Sequence, residues 1–375
     1  MQSNELKINQ FKRDFWTSEE RISAIGNGEI GGKAKGLLFI NDVLLQNFPE
    51  GNFEGIEINI PKMVVLKTGV FDDFMKQNNL YQIAYSNLPD DRIAHAFQKA
   101  TLPFNVLGDL RALISGVKSP LAIRSSSLLE DALYEPFAGV YASKMTPNNQ
   151  HDTETRFNKL VEAIKLVFAS TFFKAAKDYI KATKHKVEDE KMALIIQEVV
   201  GQQYDKVYYP EISGVARSYN FYPMGPAKPD EGIVNLALGL GKTIVDGGKS
   251  WAFSPAYPNL HPPYGSIREM LNQTQTQFYS VNMGAPPEYN PVSEAEYLLK
   301  RDIDEAIPHK KMKYLASTYI HASDRLDVGV SNDGPILLNF GLILKYEEIK
   351  LNSLVKNFFN YAKTQQVNRL RLNLL

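Results

Sequence analysis

The 375-residue chain contains no cysteine, which excludes disulfides, thiolate nucleophiles and every cysteine-ligated zinc or iron–sulfur centre. It has no net charge either, with Lys plus Arg and Asp plus Glu at 42 each, so no global field draws it to nucleic acid or to an anionic membrane. Any anion site must be local. No apolar run approaches the ~18 residues of a membrane span, and the polar N-terminus MQSNELKINQFKRDFW carries no apolar signal core. A cytoplasmic protein without nucleic-acid or membrane partners is expected. What is present, 44% hydrophobic and 22% charged residues, is the composition of a globular chain with a packed core.

The pattern along the chain alternates strands and helices, an α/β rhythm. IGNGEIGGKAKGLLFINDVLLQNF is a glycine-rich loop feeding a helix, with Leu37, Leu38, Asn41, Leu44 and Leu45 on one face. MVVLKTG at 63–69 is a strand and 70–84 the helix after it. PLAIRSSS at 120–127 runs from a short strand into a polar turn, and residues 157–180 form a long helix or helix pair. Strand character dominates at 191–200, 213–222, 232–238, 325–330 and 335–344, with Asn332, Asp333 and Gly334 closing a hairpin between the last two. The Pro-, Tyr- and Gln-rich stretch 255–291 is expected to be loop or lid, and the last 30 residues one amphipathic helix.

Two glycine-lysine sites invite a phosphate reading, and neither is a P-loop. NLALGLGKT has Leu236 where GxxxxGK[ST] needs glycine; IGNGEIGGKAKG has Asn27 there and Ala34 in place of the hydroxyl residue. A glycine-rich loop that ends in lysine and opens a helix still offers free N–H groups and a cation together. Arg124, followed by Ser125, Ser126 and Ser127, has the fork geometry for phosphate oxygens; the alternative is a structural pairing with Glu130 or Asp131. Asp327 and Asn339 alternate with apolar residues on the two strands of the expected hairpin and supply oxygen donors of the kind Mg²⁺ accepts. The commoner outcome for such a pair is a solvent-facing position. None of the six histidines, at 95, 151, 185, 261, 309 and 321, has metal-ligand spacing, so they are expected to be structural or exposed.

Taken in order, GGKAKGL at 31–37, AIRSSSLLEDALYEPFAG at 122–139, MALIIQEVV with SGVARSYNFYP, GLGKTIVDG at 239–247 and the element holding Asp327 and Asn339 resemble the N-terminal nucleotide-binding domain shared by phosphoenolpyruvate synthase and pyruvate phosphate dikinase, an ATP-grasp-type module. The resemblance spans about residues 25–345. It implies two lobes clamping a nucleotide: an N-terminal lobe over 1–230 with a helical insert at about 151–185, a grasp lobe over 231–345, and a C-terminal helix over 346–375. It further implies that Lys33, Arg124 and Ser125 grip ATP phosphates, that Gln197, Glu198 and Val200 belong to a hinge whose backbone meets adenine, that Gly239, Gly241 and Lys242 lie near the nucleotide, and that Asp327 and Asn339 hold Mg²⁺. The implied activity is phosphotransfer from Mg·ATP to a histidine carrier on another domain or chain, with catalysis resting on Lys33 and Arg124.

The departures are as informative. Lys242 replaces the family's Glu, Asp327 its metal Glu, Asn339 its Gln, Gly341 the Arg that follows, and Arg325 an acid. The carrier and the pyruvate-binding barrel have no counterpart in the 375 residues. Loss of charged positions supports an alternative, a non-catalytic nucleotide sensor or scaffold. A stand-alone metabolite-phosphorylating enzyme is a third reading, weaker because it too needs a carrier histidine.

Overall fold

In the computed structural model, residues 8–48, 53, 56–128, 139–260, 266–309, 311–347, 349–364 and 371–374 are described. They fall in two compact units, one formed by Met1–Pro49, Ile58–Val199 and Val281–Leu298, the other by Glu50–Glu57, Val200–Ser280 and Leu299–Leu375. The division therefore falls at Val199 rather than at 230, and it is not sequential, because Val281–Leu298 rejoins the first unit.

The first unit starts from short β-branched and apolar runs that become the strands of one mixed sheet. These are β1 (Asn9–Gln10), β2 (Ile22–Ile25), β3 (Met63–Leu66), β4 (Leu121–Ser127), β5 (Ser143–Thr146) and β6 (Met192–Glu198), in the order β1-β2-β3-β6-β4-β5. β1, β2 and β3 are parallel; β6 runs antiparallel to β3 and to β4, and β5 antiparallel to β4. The helices are α1 (Gly31–Asn47), α2 (Thr68–Gln77), α3 (Tyr81–Ala84), α4 (Asp90–Lys99), α5 (Phe104–Gly116), α6 (Thr153–Ser170) and α7 (Lys174–Lys181). One sheet face, bearing Val64, Leu66, Leu121, Ile123, Leu194 and Ile196, joins a single core with Phe71, Phe74, Phe97, Leu160, Phe168 and Phe172 from the helices. Phe168 is its centre, 5.2 Å from Phe71 and 5.5 Å from Phe74 between ring centroids. Each such side chain contributes roughly 1.5–3 kcal/mol by leaving water. α1 docks on the opposite face.

Several expectations are corrected here. The 70–84 helix is two, because Asn79 sits at φ 51 and interrupts the hydrogen-bond ladder between α2 and α3. The serines after Arg124 are not a turn: Ser125, Ser126 and Ser127 pair with Leu194, Ala193 and Met192, so β4 continues through them, fully buried. The 157–180 segment, by contrast, is one of the two expected forms, the helix pair α6 and α7; Asp152 caps α6 by accepting the Thr155 N–H at 2.7 Å.

The second unit holds three small sheets. β9 (Ser213–Arg217), β10 (Ile233–Ala237) and β11 (Trp251–Phe253) form an antiparallel sheet with β17 (Arg371–Leu374), order β11-β10-β9-β17. β7 (Gln202–Tyr204), β8 (Val207–Tyr209), β12 (Gln277–Asn282) and β13 (Leu298–Asp302) form the second, and β14 (Ala316–Ile320), β15 (Arg325–Val328) and β16 (Ile336–Leu338) the third. The helices are α8 (Lys242–Val245), α9 (Ile267–Gln273), α10 (Met312–Leu315), α11 (Gly341–Lys345) and α12 (Leu351–Thr364). The 255–291 stretch, expected as loop or lid, contains α9 and all of β12. The C-terminal helix stops at Thr364, and β17 pairs with β9 instead of extending it. The apolar run 335–344 is half strand and half helix, switched by Phe340 at φ 53.

The third sheet also corrects the expected hairpin. Its order is β15-β14-β16, so β15 and β16 each pair antiparallel with β14 and never with each other.

Candidate functional site

The loop after β2 is folded back on the start of α2: Gly69 N–H donates to Asn27 O and Thr68 N–H to Glu29 O, both at 2.9 Å. It delivers Gly31 at φ 70, where a Cβ would lie 1.7 Å from Ser126 O. Only glycine lets the helix start this close to β4. The approach is secured by Ser126, whose buried Oγ accepts the Ala34 N–H at 3.1 Å and donates to Ile30 O at 2.8 Å. Lys33, in the first turn of α1, donates to Ser125 Oγ at 2.9 Å. The hydroxyl thereby orients an ammonium at the positive end of the helix.

Arg124 lies on the β4 face that also carries Ala122 and Ser126, since successive strand side chains alternate. The register pairs Ala122 with Gln197 and Arg124 with Ile195, so Arg124 and Gln197 are diagonal neighbours within reach of long side chains. Arg124 Nη1 donates to Gln197 Oε1 at 3.1 Å. The structure thus brings Lys33, Arg124, Ser125 and Gln197 onto adjoining elements of the first unit. Glu130 and Asp131, the alternative partners of Arg124, lie outside the described residues.

The expected hinge is already engaged. Glu198 accepts from Ser119 Oγ at 2.6 Å, and the N–H groups of Glu198 and Val199 donate to Lys62 O and Pro120 O. Val200 is exposed and begins the second unit. Nearby Lys62 spends its ammonium on the carbonyls of Phe15, Trp16 and Ser18; burial, then the charge of Arg21, lowers its pKa.

In the second unit, β10 runs into Gly239, at φ 81, where a Cβ would meet Tyr279 O at 2.6 Å. The loop is held through buried Gln275, which accepts from the Leu238 N–H at 2.8 Å and donates to Leu238 O at 2.9 Å. Gly239 and Leu240 N–H donate to Pro210 O and Tyr279 O, so these groups are committed inside the fold. Gly241 precedes α8, whose first residue, Lys242, pairs with Asp246 at 3.0 Å. The roles of Ser126 and Gln275 had no sequence signal beyond their polarity within apolar runs.

Residues 27–325 match the family of the pyruvate phosphate dikinase AMP/ATP-binding domain, about four fifths of the chain. The chain belongs to this family. No curated protein matches the sequence. The domain is therefore an ATP-binding domain of the phosphoenolpyruvate synthase and pyruvate phosphate dikinase family, with its α/β ATP-grasp-type fold.

The family match ends at Arg325, before Asp327 and Asn339. Asp327 lies opposite Thr318 in the register, whereas Asn339 hydrogen-bonds Ser317 and lies two residues beyond Leu337, the register partner of Ser317. Ser317 and Thr318 point to opposite faces of β14, so Asp327 and Asn339 do too. Asp327 is also held by Arg325, Nε to Oδ1 at 2.8 Å, and Asn339 Oδ1 accepts the Gly341 N–H at 3.1 Å. These two residues do not fit a shared Mg²⁺ site, a correction that follows from the missing hairpin. Among the described residues no group of three or more His, Asp or Glu side chains could hold a metal ion.

The histidines include one built-in member. His309 stacks on Tyr204 at 4.3 Å and hydrogen-bonds the Tyr209 hydroxyl through Nδ1. Burial, then Arg301, lowers its pKa. His261 is outside the described residues. Among those described, no helix is long and apolar enough to cross a membrane.

Proposed function

We propose that this domain binds Mg·ATP and passes a phosphoryl group to a histidine carrier on another domain or chain, in the cytoplasm. The observation that carries the reading is the pair of cations, Lys33 at the start of α1 and Arg124 on β4, each holding a hydrogen bond to a polar side chain. Phosphoryl transfer is mainly positioning and neutralisation of charge on phosphate oxygens, and two oriented cations supply both. Lys33 and Arg124 take the phosphates, with Ser125 acting through Lys33. The glycines of the 239–241 loop set the course of the chain before Lys242. Magnesium arrives chelated by the phosphates, and no step is assigned to Asp327 and Asn339 as its joint ligands.

Millimolar ATP with Mg²⁺ is expected to raise the melting temperature, and Lys33→Ala or Arg124→Ala to abolish the rise. An unchanged melting temperature with ATP refutes nucleotide binding. Transfer is tested by release of AMP or ADP in the presence of a purified phosphohistidine carrier domain.

The non-catalytic alternative is favoured by one specific feature, the pairing of Asp327 with Arg325. It predicts the same thermal shift without any turnover.

A further inference from the structure

The resemblance gives Gln197 to the hinge that meets adenine, but its side chain is committed elsewhere. Gln197 is 7% exposed, lies on the central strand β6, and its Oε1 accepts from Arg124 Nη1 at 3.1 Å. Guanidinium can only donate, so the amide must present its oxygen to Arg124, and this fixes the rotamer of the amide as well. β6 is paired on both sides, with β3 and β4, which makes it among the least movable backbones in the unit. Arg124 has several rotatable bonds, and holding such a side chain before the ligand arrives removes an ordering cost of about 0.5–1.5 kcal/mol from binding.

We propose that Gln197 is a positioning residue for Arg124, which presets the guanidinium for phosphate, and that it contributes nothing to recognition of the base. The inference rests on the assignment of Arg124 to the phosphates.

The test compares ATP with adenosine. In Gln197→Met, ATP affinity falls about two- to twelvefold, the range set by the ordering cost, while adenosine affinity stays within error of wild type. In Gln197→Glu, a near-isosteric change that places a carboxylate against Arg124, ATP affinity falls at least tenfold with adenosine again unaffected. Parallel losses for ATP and adenosine would assign Gln197 to the base and overturn the proposal, as would no loss for either. A ligand-free readout separates this from failure of the ATP reading itself. Rotation of the Arg124 guanidinium, followed by ¹⁵N NMR, is more hindered in wild type than in Gln197→Met; if rotation is unchanged the proposal fails, whether or not the chain binds ATP.

Discussion

Cations in the two units show different kinds of partner among the described residues. In the first unit, Lys33 donates to a serine and Arg124 to a glutamine; in the second, Lys242 and Arg325 pair with Asp246 and Asp327. A neutral acceptor orients a positive charge, whereas a carboxylate both orients and cancels it. The contrast extends to the core: the first unit stacks its phenylalanines into one cluster around Phe168, while the second distributes its apolar residues over three small sheets.

The largest expected effect tests the core contrast. Phe168→Ala removes the ring at the centre of the first unit and should cost about 3–5 kcal/mol. The two tryptophans lie one in each unit, Trp16 and Trp251, so single-tryptophan variants report urea unfolding of each. The Trp16 transition is expected to move and the Trp251 transition to move less; equal shifts would show that the units unfold as one. Nearly as large is Glu296→Gln. Glu296 pairs with Lys144 at 2.6 Å, both side chains 1% exposed, and Lys144 also donates to the carbonyls of Asn290 and Pro291. Burial already lowers the Lys144 pKa against the pull of Glu296. Losing the carboxylate strands a buried ammonium, at a cost of about 3–5 kcal/mol, and Lys144→Met in the same chain should recover part of it.

Next in size is the charge contrast itself. Lys33→Ala and Arg124→Ala should each weaken ATP binding at least tenfold, the scale of a lost charge-assisted contact. Lys242→Ala and Arg325→Ala should change it by less than about threefold, as expected of solvent-accessible, internally paired cations. Calorimetry on the four variants decides it, and equal losses would erase the distinction drawn between the units.

The smallest effect is alkaline. Burial raises the pKa of Tyr204 and Tyr209, with Glu211 adding to the rise at Tyr204 and the neighbouring Tyr204 at Tyr209. A group with a raised folded pKa contributes stability that is complete below its unfolded value, about 10 for tyrosine, and is lost as pH climbs from there toward the folded value. Lys62, Lys165 and Lys177 of the first unit are lowered mainly by burial. Their sign is opposite: stability rises as pH passes from the folded pKa toward the unfolded one near 10.4. Tyr81, Tyr85, Tyr289 and Tyr297 in the first unit are also raised, so its loss is offset rather than abolished. Urea titrations between pH 9 and about pH 11 should therefore show the second unit weakening more steeply, and Tyr209→Phe flattening that slope.

The local patterns were legible wherever one interaction dominates. The glycine loop feeding α1, the strand MVVL, the Arg124 strand and the long helical run were each read from periodicity or turn chemistry, and the ordered motifs carried the family. Errors arose where backbone pairing at a distance decides. Three serines look like a turn, yet β6 offers them a full ladder of partners and they become strand. PILLNFGLIL has no internal sign that Phe340 adopts a left-handed conformation. The last residues look helical, but the open edge of β9 takes Arg371–Leu374 as a strand.

The sequence by itself determined a neutral, cysteine-free α/β chain with the motifs of a nucleotide-binding domain, because composition and residue type are properties of the chain alone. Tertiary structure decided which of those residues share a surface. Strand register put Gln197 beside Arg124 and a glycine at van der Waals contact with β4 put Lys33 beside Ser125, while insertion of β14 between β15 and β16 turned Asp327 and Asn339 to opposite faces. The physical reason is that side chains alternate along a strand, so one intervening strand or one residue of register changes which groups can meet.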